Sequence, residues 1–413
     1  MNLKKVKGTQ LFIIFGFVML IAWLIGLLID PERQFKLFFS SCQNFLADFT
    51  NTMDYVKDRD PFNCPTNGPS EHGYLPLSYV LVYLFTIPFK NKIAFNVEMW
   101  KDPRVALLIF LFFTAVTISV FVQLYGMCKS KESNKAFLAF LLVFSGVYLF
   151  ALERGNLIVL SLSLTIYFLN HYNDNVKWKK ELSFIFLAMA ASLKIFPAVL
   201  GLLVIIDGKW KDAFRLVIYG VLFAFIPFLF FKGGFSNIPV LLENAKVHNE
   251  VYKYDLGCNY VSLVRGYFEN KNAKSIILVS SVASYLVPLV ILFAVPFFKN
   301  NWEKIAAISL VMLVIPPHSG KYNAIFILPV IVLFLNEAKV NLINVGLFLA
   351  FLMIEKQVQL SYYDCVYLNI LVFFAMEAAF FVKAILAIKP RQILPTYKAV
   401  GRRFFKKEPQ KQN

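Results

Sequence analysis

Charge is what this sequence has little of. Only 16% of its 413 residues are Asp, Glu, Lys or Arg, whereas a soluble globular chain carries about 25%. Histidine is rarer still, with four residues, and the five cysteines are scattered, without a Cys-x-x-Cys pair or a His cluster. Neither a metal site nor a dithiol centre is expected from them. A P-loop, a dinucleotide-binding glycine fingerprint and a soluble segment able to hold a nucleotide-sugar are also missing, so no cofactor is expected. What remains is apolar: 58% of the residues are hydrophobic and 17% aromatic. They come in blocks, many approaching the ~20 residues that cross a bilayer. An ordinary soluble enzyme, a disordered chain and a disulfide-stapled secreted domain are excluded, and a polytopic all-α membrane protein is expected.

The net charge of +17 would suggest a nucleic-acid partner in a soluble protein. Its distribution argues for topology instead. Lys4, Lys5 and Lys7 precede the first apolar block, other cations sit in short loops, and the rest gather in the tail from Lys389 to Lys411. Cytoplasmic loops carry this bias. The tail holds Arg402, Arg403, Lys406 and Lys407 beside Phe404 and Phe405 and reads as a stop-anchor on anionic lipid. We therefore expect an integral domain over 1–388 and a basic cytoplasmic tail over 389–413, in an inner or plasma membrane. Cys42 and Cys64 share one loop and pair only if it faces an oxidising compartment.

Residues 11–29 form an uninterrupted first span, longer than a signal-peptide core. Further blocks at 75–89, 105–127, 137–152, 157–170, 182–206, 213–231, 275–298, 305–316, 322–336, 341–355 and 363–388 give about twelve spans. The polar stretch 30–74 contains the patches 35–39 and 45–49, expected as short helices on the membrane surface. If every block from 75 to 206 crosses, the basic loops 129–135 and 177–180 fall outside, against the charge rule. If 75–89 is re-entrant and 182–206 splits at Pro197, both loops fall inside and Lys194 lies at the outer surface. The second arrangement is preferred, although it places Lys90, Lys92, Lys101 and Arg104 outside.

Few polar residues remain in apolar surroundings. Asp48 is embedded between Leu46 and Phe49, a partly desolvated position that suits a general base at the lipid–water boundary. Asp58-Arg59-Asp60 has the shape of a metal-binding pair of acids, but its Arg and Pro61 fit a charged turn equally well. Lys194 has no acid near it in sequence, and intramembrane cations usually pair with an acid or an anionic ligand; the alternative is a lysine snorkelling from a helix end. Glu153-Arg154-Gly155-Asn156 interrupts a long apolar run, either as a tight turn with a local ion pair or as polar groups facing a cavity. His318 and Lys321 offer two donors to an anion within a Pro- and Gly-rich turn. Asn259, Ser262 and Arg265 share one face if their stretch is helical, with helix capping the alternative use of Asn and Ser.

The order of these signals resembles the integral-membrane glycosyltransferases of the GT-C class, and among them glycosyltransferase family 87. The matching pieces are Asp48-Phe49, Asp60-Pro61-Phe62, Tyr74-Leu75-Pro76-Leu77, Gly155-Asn156, Leu193-Lys194-Ile195-Phe196-Pro197, Asn259-x-x-Ser262 and Pro316-Pro317-His318. The resemblance implies an inverting transferase that takes a sugar from a polyprenyl-phosphate donor on the extracytoplasmic face and passes it to a glycan or glycolipid. It implies Asp48 as catalytic base and Lys194 and His318 on the lipid phosphate, with Lys321 and Arg265 as further phosphate ligands. Asp60, Tyr74, Asn156, Asn259 and Ser262 would then contact substrate.

Two other functions fit the composition. A cell-envelope polysaccharide polymerase or ligase would rely on loop arginines, and the first external loop has only Arg33 and Arg59. A flippase or transporter would place acids or broken helices at the midplane of two matched halves, and no such repeat is found.

Overall fold

The structure is a computed structural model that describes residues 8–32, 45–64, 68, 72–90, 96, 98–251, 260–261, 264, 267, 274–316, 321–356 and 362–405, without the side chains of 321, 362–369, 390 and 401–405. Every regular element among the described residues is helical. In chain order they are α1 (Gly8–Ile29), α2 (Ala47–Val56), α3 (Pro76–Thr86), α4 (Pro103–Met127), α5 (Glu132–Val143), α6 (Gly146–Glu153), α7 (Ile158–His171), α8 (Lys177–Leu193) and α9 (Leu202–Ile206). There follow α10 (Trp210–Phe225), α11 (Asn237–Val251), α12 (Lys274–Ala294), α13 (Asn301–Val314), α14 (Leu328–Glu337), α15 (Leu342–Glu355), α16 (Tyr362–Ala387) and α17 (Pro390–Phe405).

Helix length does not confirm the expected number of spans. Among the described residues five helices are long and apolar enough to cross a membrane, or six if α5 and α6, bent by 48° at their junction, count as one. The other apolar blocks form helices of 10–17 residues, and at 1.5 Å per residue most of these fall short of a ~30 Å hydrocarbon core. Hydropathy alone does not distinguish a lipid-facing helix from one buried in protein. In α1, Phe12, Ile13, Gly16 and Leu20 face protein while Ile14, Phe15, Val18 and Ile21 are exposed, the one-sided stripe of a peripheral span. In α13 every residue from Ile305 to Val314 is buried, so this helix is the centre of the bundle.

Side-chain contacts sort the loops between two ends. The Trp302 amide at the start of α13 donates to Glu337 at 3.3 Å, and Asn336 beside it accepts from the Lys129 amide at 2.9 Å. Tyr172 hydrogen-bonds Asn301 at the same end, just before the basic start of α8. The loops 129–135 and 177–180 therefore lie together at one end. At the other end Ser78, in the first turn of α3, donates to the Leu193 carbonyl at 3.0 Å where α8 finishes. α3 also ends there: Phe85 packs 5.2 Å from Phe49, and Trp100, preceding α4, packs 5.4 Å from Phe45. Both ends of α3 thus contact the neighbourhood of Asp48 and Lys194. The block 182–206 does split, but at Lys194, where the backbone turns extended; Pro197 sits in the first turn of the 3-10 segment Phe196–Gly201, where its missing N–H costs nothing.

The first loop holds a short helix, α2, though not as a raft on lipid. Ala47, Phe49, Thr50, Thr52, Met53, Asp54, Tyr55 and Val56 are all buried, because α2 packs against α3 and places Phe49 among Phe85, Phe112 and Phe113. Cys42 lies outside the described residues, and with it the pairing to Cys64.

Candidate active site

The site is built on a turn. Between α6 and α7 the chain reverses through Gly155 at φ +63°. A Cβ there would stand 3.1 Å from Phe49 Cβ and 3.2 Å from Leu46 Cα, so glycine is required both by the backbone and by the approach of the first loop. The closeness is used: the Leu46 amide donates to the Glu153 carbonyl at 2.7 Å and the Asp48 amide to the Arg154 carbonyl at 3.0 Å. Two main-chain bonds thereby fasten the N-terminal turn of α2 to residues 153–154.

That strapping sets Asp48 among donors. Arg154 donates to Asp48 Oδ1 through Nε at 3.1 Å and also through Nη2. Asn156 Nδ2 donates to Oδ2 at 2.6 Å. The same amide accepts the Ile158 N–H at 3.0 Å through its oxygen, so Asn156 satisfies an orphan donor of α7 and orients the carboxylate with one fully buried side chain. Asp48 is 13% exposed and Arg154 22%. In this setting both carboxylate oxygens act as acceptors while Oδ2 keeps lone-pair capacity for a proton. Glu153 is carried along, 4% exposed, with no hydrogen-bond partner among the described residues for either carboxylate oxygen.

Lys194 completes the cluster. Its Nζ lies 4.2 Å from the centroid of the Tyr74 ring and 5.8 Å from that of Tyr322, and it interacts electrostatically with Asp48. Among the described residues it has no ion-pair partner. Tyr74, just ahead of α3, is held neutral: desolvation first, then the Asp48 charge, keeps its phenol well above the usual value. Tyr322 stacks on Phe150 of α6 at 6.2 Å and so brings the start of the 3-10 segment Lys321–Ile327 to the site. A half-buried ammonium with aromatic walls and no acid of its own is poised to receive an anion.

Of the residues singled out in the sequence, Asp48, Tyr74, Asn156 and Lys194 come together. Asp60 sits apart. Its carboxylate accepts from Asn63 at 2.9 Å, and the turn it belongs to docks through Arg59, whose Nε donates to the Phe230 carbonyl at 2.8 Å. That is the behaviour of a charged turn. Asn259, Ser262, Arg265 and His318 lie outside the described residues, and so does the Lys321 side chain. Of the two readings of Glu153-Arg154-Gly155-Asn156, the tight turn is present, but Arg154 hydrogen-bonds Asp48 rather than its neighbour Glu153. The available signal was an arginine inside an apolar run beside a glycine turn, where a cation needs a partner from elsewhere.

The model of glycosyltransferase family 87 matches residues 74–317, more than half of the 413-residue chain. The chain belongs to glycosyltransferase family 87. It is therefore a glycosyltransferase, and its apolar helices make it a membrane protein. No curated protein and no solved structure matches it. In this family 87 enzyme the matched stretch contains Tyr74, Arg154, Asn156 and Lys194, while Asp48 precedes it. The place of Asp48 in the site rests on its contacts with Arg154 and Asn156.

Proposed function

We propose that the enzyme transfers a sugar, with inversion, from a polyprenyl-phosphate donor to a hydroxyl of a glycan or glycolipid at the extracytoplasmic surface. The observation that carries the reading is the pairing of a fixed carboxylate, Asp48, with an uncompensated cation, Lys194, in one aromatic-walled site. In the reaction the acceptor oxygen attacks the anomeric carbon, and its proton passes to Asp48 Oδ2. The bond from that carbon to the phosphate oxygen breaks on the opposite face. Lys194 neutralises the charge that collects on the departing lipid phosphate. Arg154 and Asn156 hold the base and need not move. A single displacement requires no second, nucleophilic carboxylate.

The side of the membrane follows from charge. The basic loops 129–135 and 177–180 lie at the end remote from Asp48, and cations accumulate on the cytoplasmic side. On this reading both termini are cytoplasmic, and residues 389–413 are a cytoplasmic tail.

The test is transfer from a polyprenyl-phosphate sugar panel in membranes containing wild-type or Asp48→Asn protein. The variant should insert normally and lose transfer. Near-normal transfer by that variant would remove Asp48 as the base, and failure of wild type with every lipid-phosphate sugar would remove the donor class.

A further inference from the structure

At the start of α13, the end remote from Asp48, a cavity of about 800 Å³ opens between the α12–α13 junction, the start of α15 and the end of α16. α17 lies across it. Gln392 and Thr396, one helical turn apart, line the cavity. Tyr397 docks the helix by donating to the Phe293 carbonyl at 2.6 Å, with its ring 5.0 Å from that of Phe293.

The cavity is electrostatically unbalanced. Its lining holds Lys299, Lys383 and Lys389 against one carboxylate, Glu303. Glu303 is already answered: Lys383 donates to it at 2.7 Å and Asn300 at 2.9 Å. Among the described residues neither Lys299 nor Lys389 has an acidic partner. Two ammonium groups bordering one cavity repel, and an anion between them relieves the repulsion. The rim is apolar: Leu386 is 69% and Leu342 89% exposed, at the ends of helices that meet lipid. A polar well with an apolar lip at a membrane boundary matches the two halves of a lipid.

We propose that this cavity binds the headgroup of an anionic phospholipid in the leaflet opposite Asp48. Lys299 and Lys389 meet the phosphate, Gln392 and Thr396 meet the polar remainder, and the acyl chains run over Leu342 and Leu386. Free phosphate offers the same charge but leaves the apolar lip unused. The site is distinct from the donor site, because α13, with 14 residues, separates the two by about 20 Å.

The experiment uses the full chain in neutral detergent and reads Tm during titration with phosphatidylglycerol, phosphatidylcholine or inorganic phosphate. Phosphatidylglycerol should raise Tm by several degrees while the other two leave it in place. The double variant Lys299→Ala/Lys389→Ala removes two exposed side chains, should keep the lipid-free Tm, and should need at least tenfold more phosphatidylglycerol for the same rise. If the double variant responds as wild type does, or phosphatidylcholine equals phosphatidylglycerol, the proposal fails. A full response to inorganic phosphate alone overturns the lipid assignment. Should the double variant be unstable without lipid, Lys389→Gln, between α16 and α17, reads the same dependence with a smaller decrement.

Discussion

Arg154 donates two N–H groups to Asp48 across 106 positions of sequence. The bond joins the first loop to the α6–α7 turn, so one side chain both positions Asp48 and compensates its charge in a half-buried site. Removing it leaves a carboxylate with less than its complement of donors. Arg154→Ala is expected to lower stability by about 3 kcal/mol, the lower end for breaking a buried pair, and to reduce transfer at temperatures where the protein is still folded. Arg154→Lys keeps the charge but loses the fork, and should recover stability more than rate. Equal recovery of both would assign Arg154 to charge alone.

Lys194 makes the opposite prediction about stability. It is a desolvated cation facing aromatic rings, without an ion-pair partner among the described residues. Such a group costs folding free energy and is retained where function needs it. Lys194→Met should therefore leave Tm unchanged or raise it, while transfer falls at least a hundredfold. A thermal melt and a transfer assay on the same membranes decide the matter. A variant that melts much earlier than wild type would make Lys194 a structural residue.

Gly155 carries two demands at once, a left-handed backbone and a first loop within 3.2 Å of where a Cβ would stand. Gly155→Ala should cost about 1–2 kcal/mol from backbone conformation alone, and more where Leu46 must retreat. Because the retreat carries Asp48 away from Asn156, transfer should fall even in protein that remains folded. Asn156→Ala tests the other half of the turn. It removes one donor from Asp48 and the acceptor for the Ile158 amide, a loss of about 1 kcal/mol for the cap. A variant with wild-type Tm would deny the capping role.

Much of this site was legible because the membrane makes polar residues conspicuous. Asp48, Asn156 and Lys194 each interrupt an apolar run, and each arrives at the cluster. Arg154 was visible for the same reason, but the sequence leaves open whether it pairs locally with Glu153 or faces a cavity; the reversal at Gly155 turns the guanidinium toward α2. Tyr322 carried no signal, being one of 19 tyrosines in an aromatic chain. The helical class was legible throughout, whereas helix length leaves the span count unconfirmed. The blocks at 75–89 and 305–316 are both apolar, yet α3 packs beside Asp48 and Lys194 while α13 fills the centre of the bundle. Which atoms a helix meets depends on long-range packing that hydropathy does not encode.

The arrangement of ends makes a topological prediction independent of catalysis. Lys129 is tied to Asn336 at the end of α14, beside the start of α13, whereas Lys101 lies beside Trp100 near the first loop and the Asp48 end. Both side chains are exposed, 70% for Lys129 and 57% for Lys101, so a cysteine at either place is open to reagent on its own side. In a background without the native cysteines, Lys101→Cys should react with an impermeant maleimide added outside intact cells. Lys131→Cys, in the loop that begins at Lys129, should react only after the membrane is opened. The charge rule supports this orientation through 129–135 and 177–180 and opposes it through Lys90 and Lys101. The prediction is that the two larger basic loops prevail, with the block 75–89 re-entrant and the intervening cations outside. External labelling of Lys131→Cys would invert the assignment and place Asp48 and Lys194 at the cytoplasmic surface.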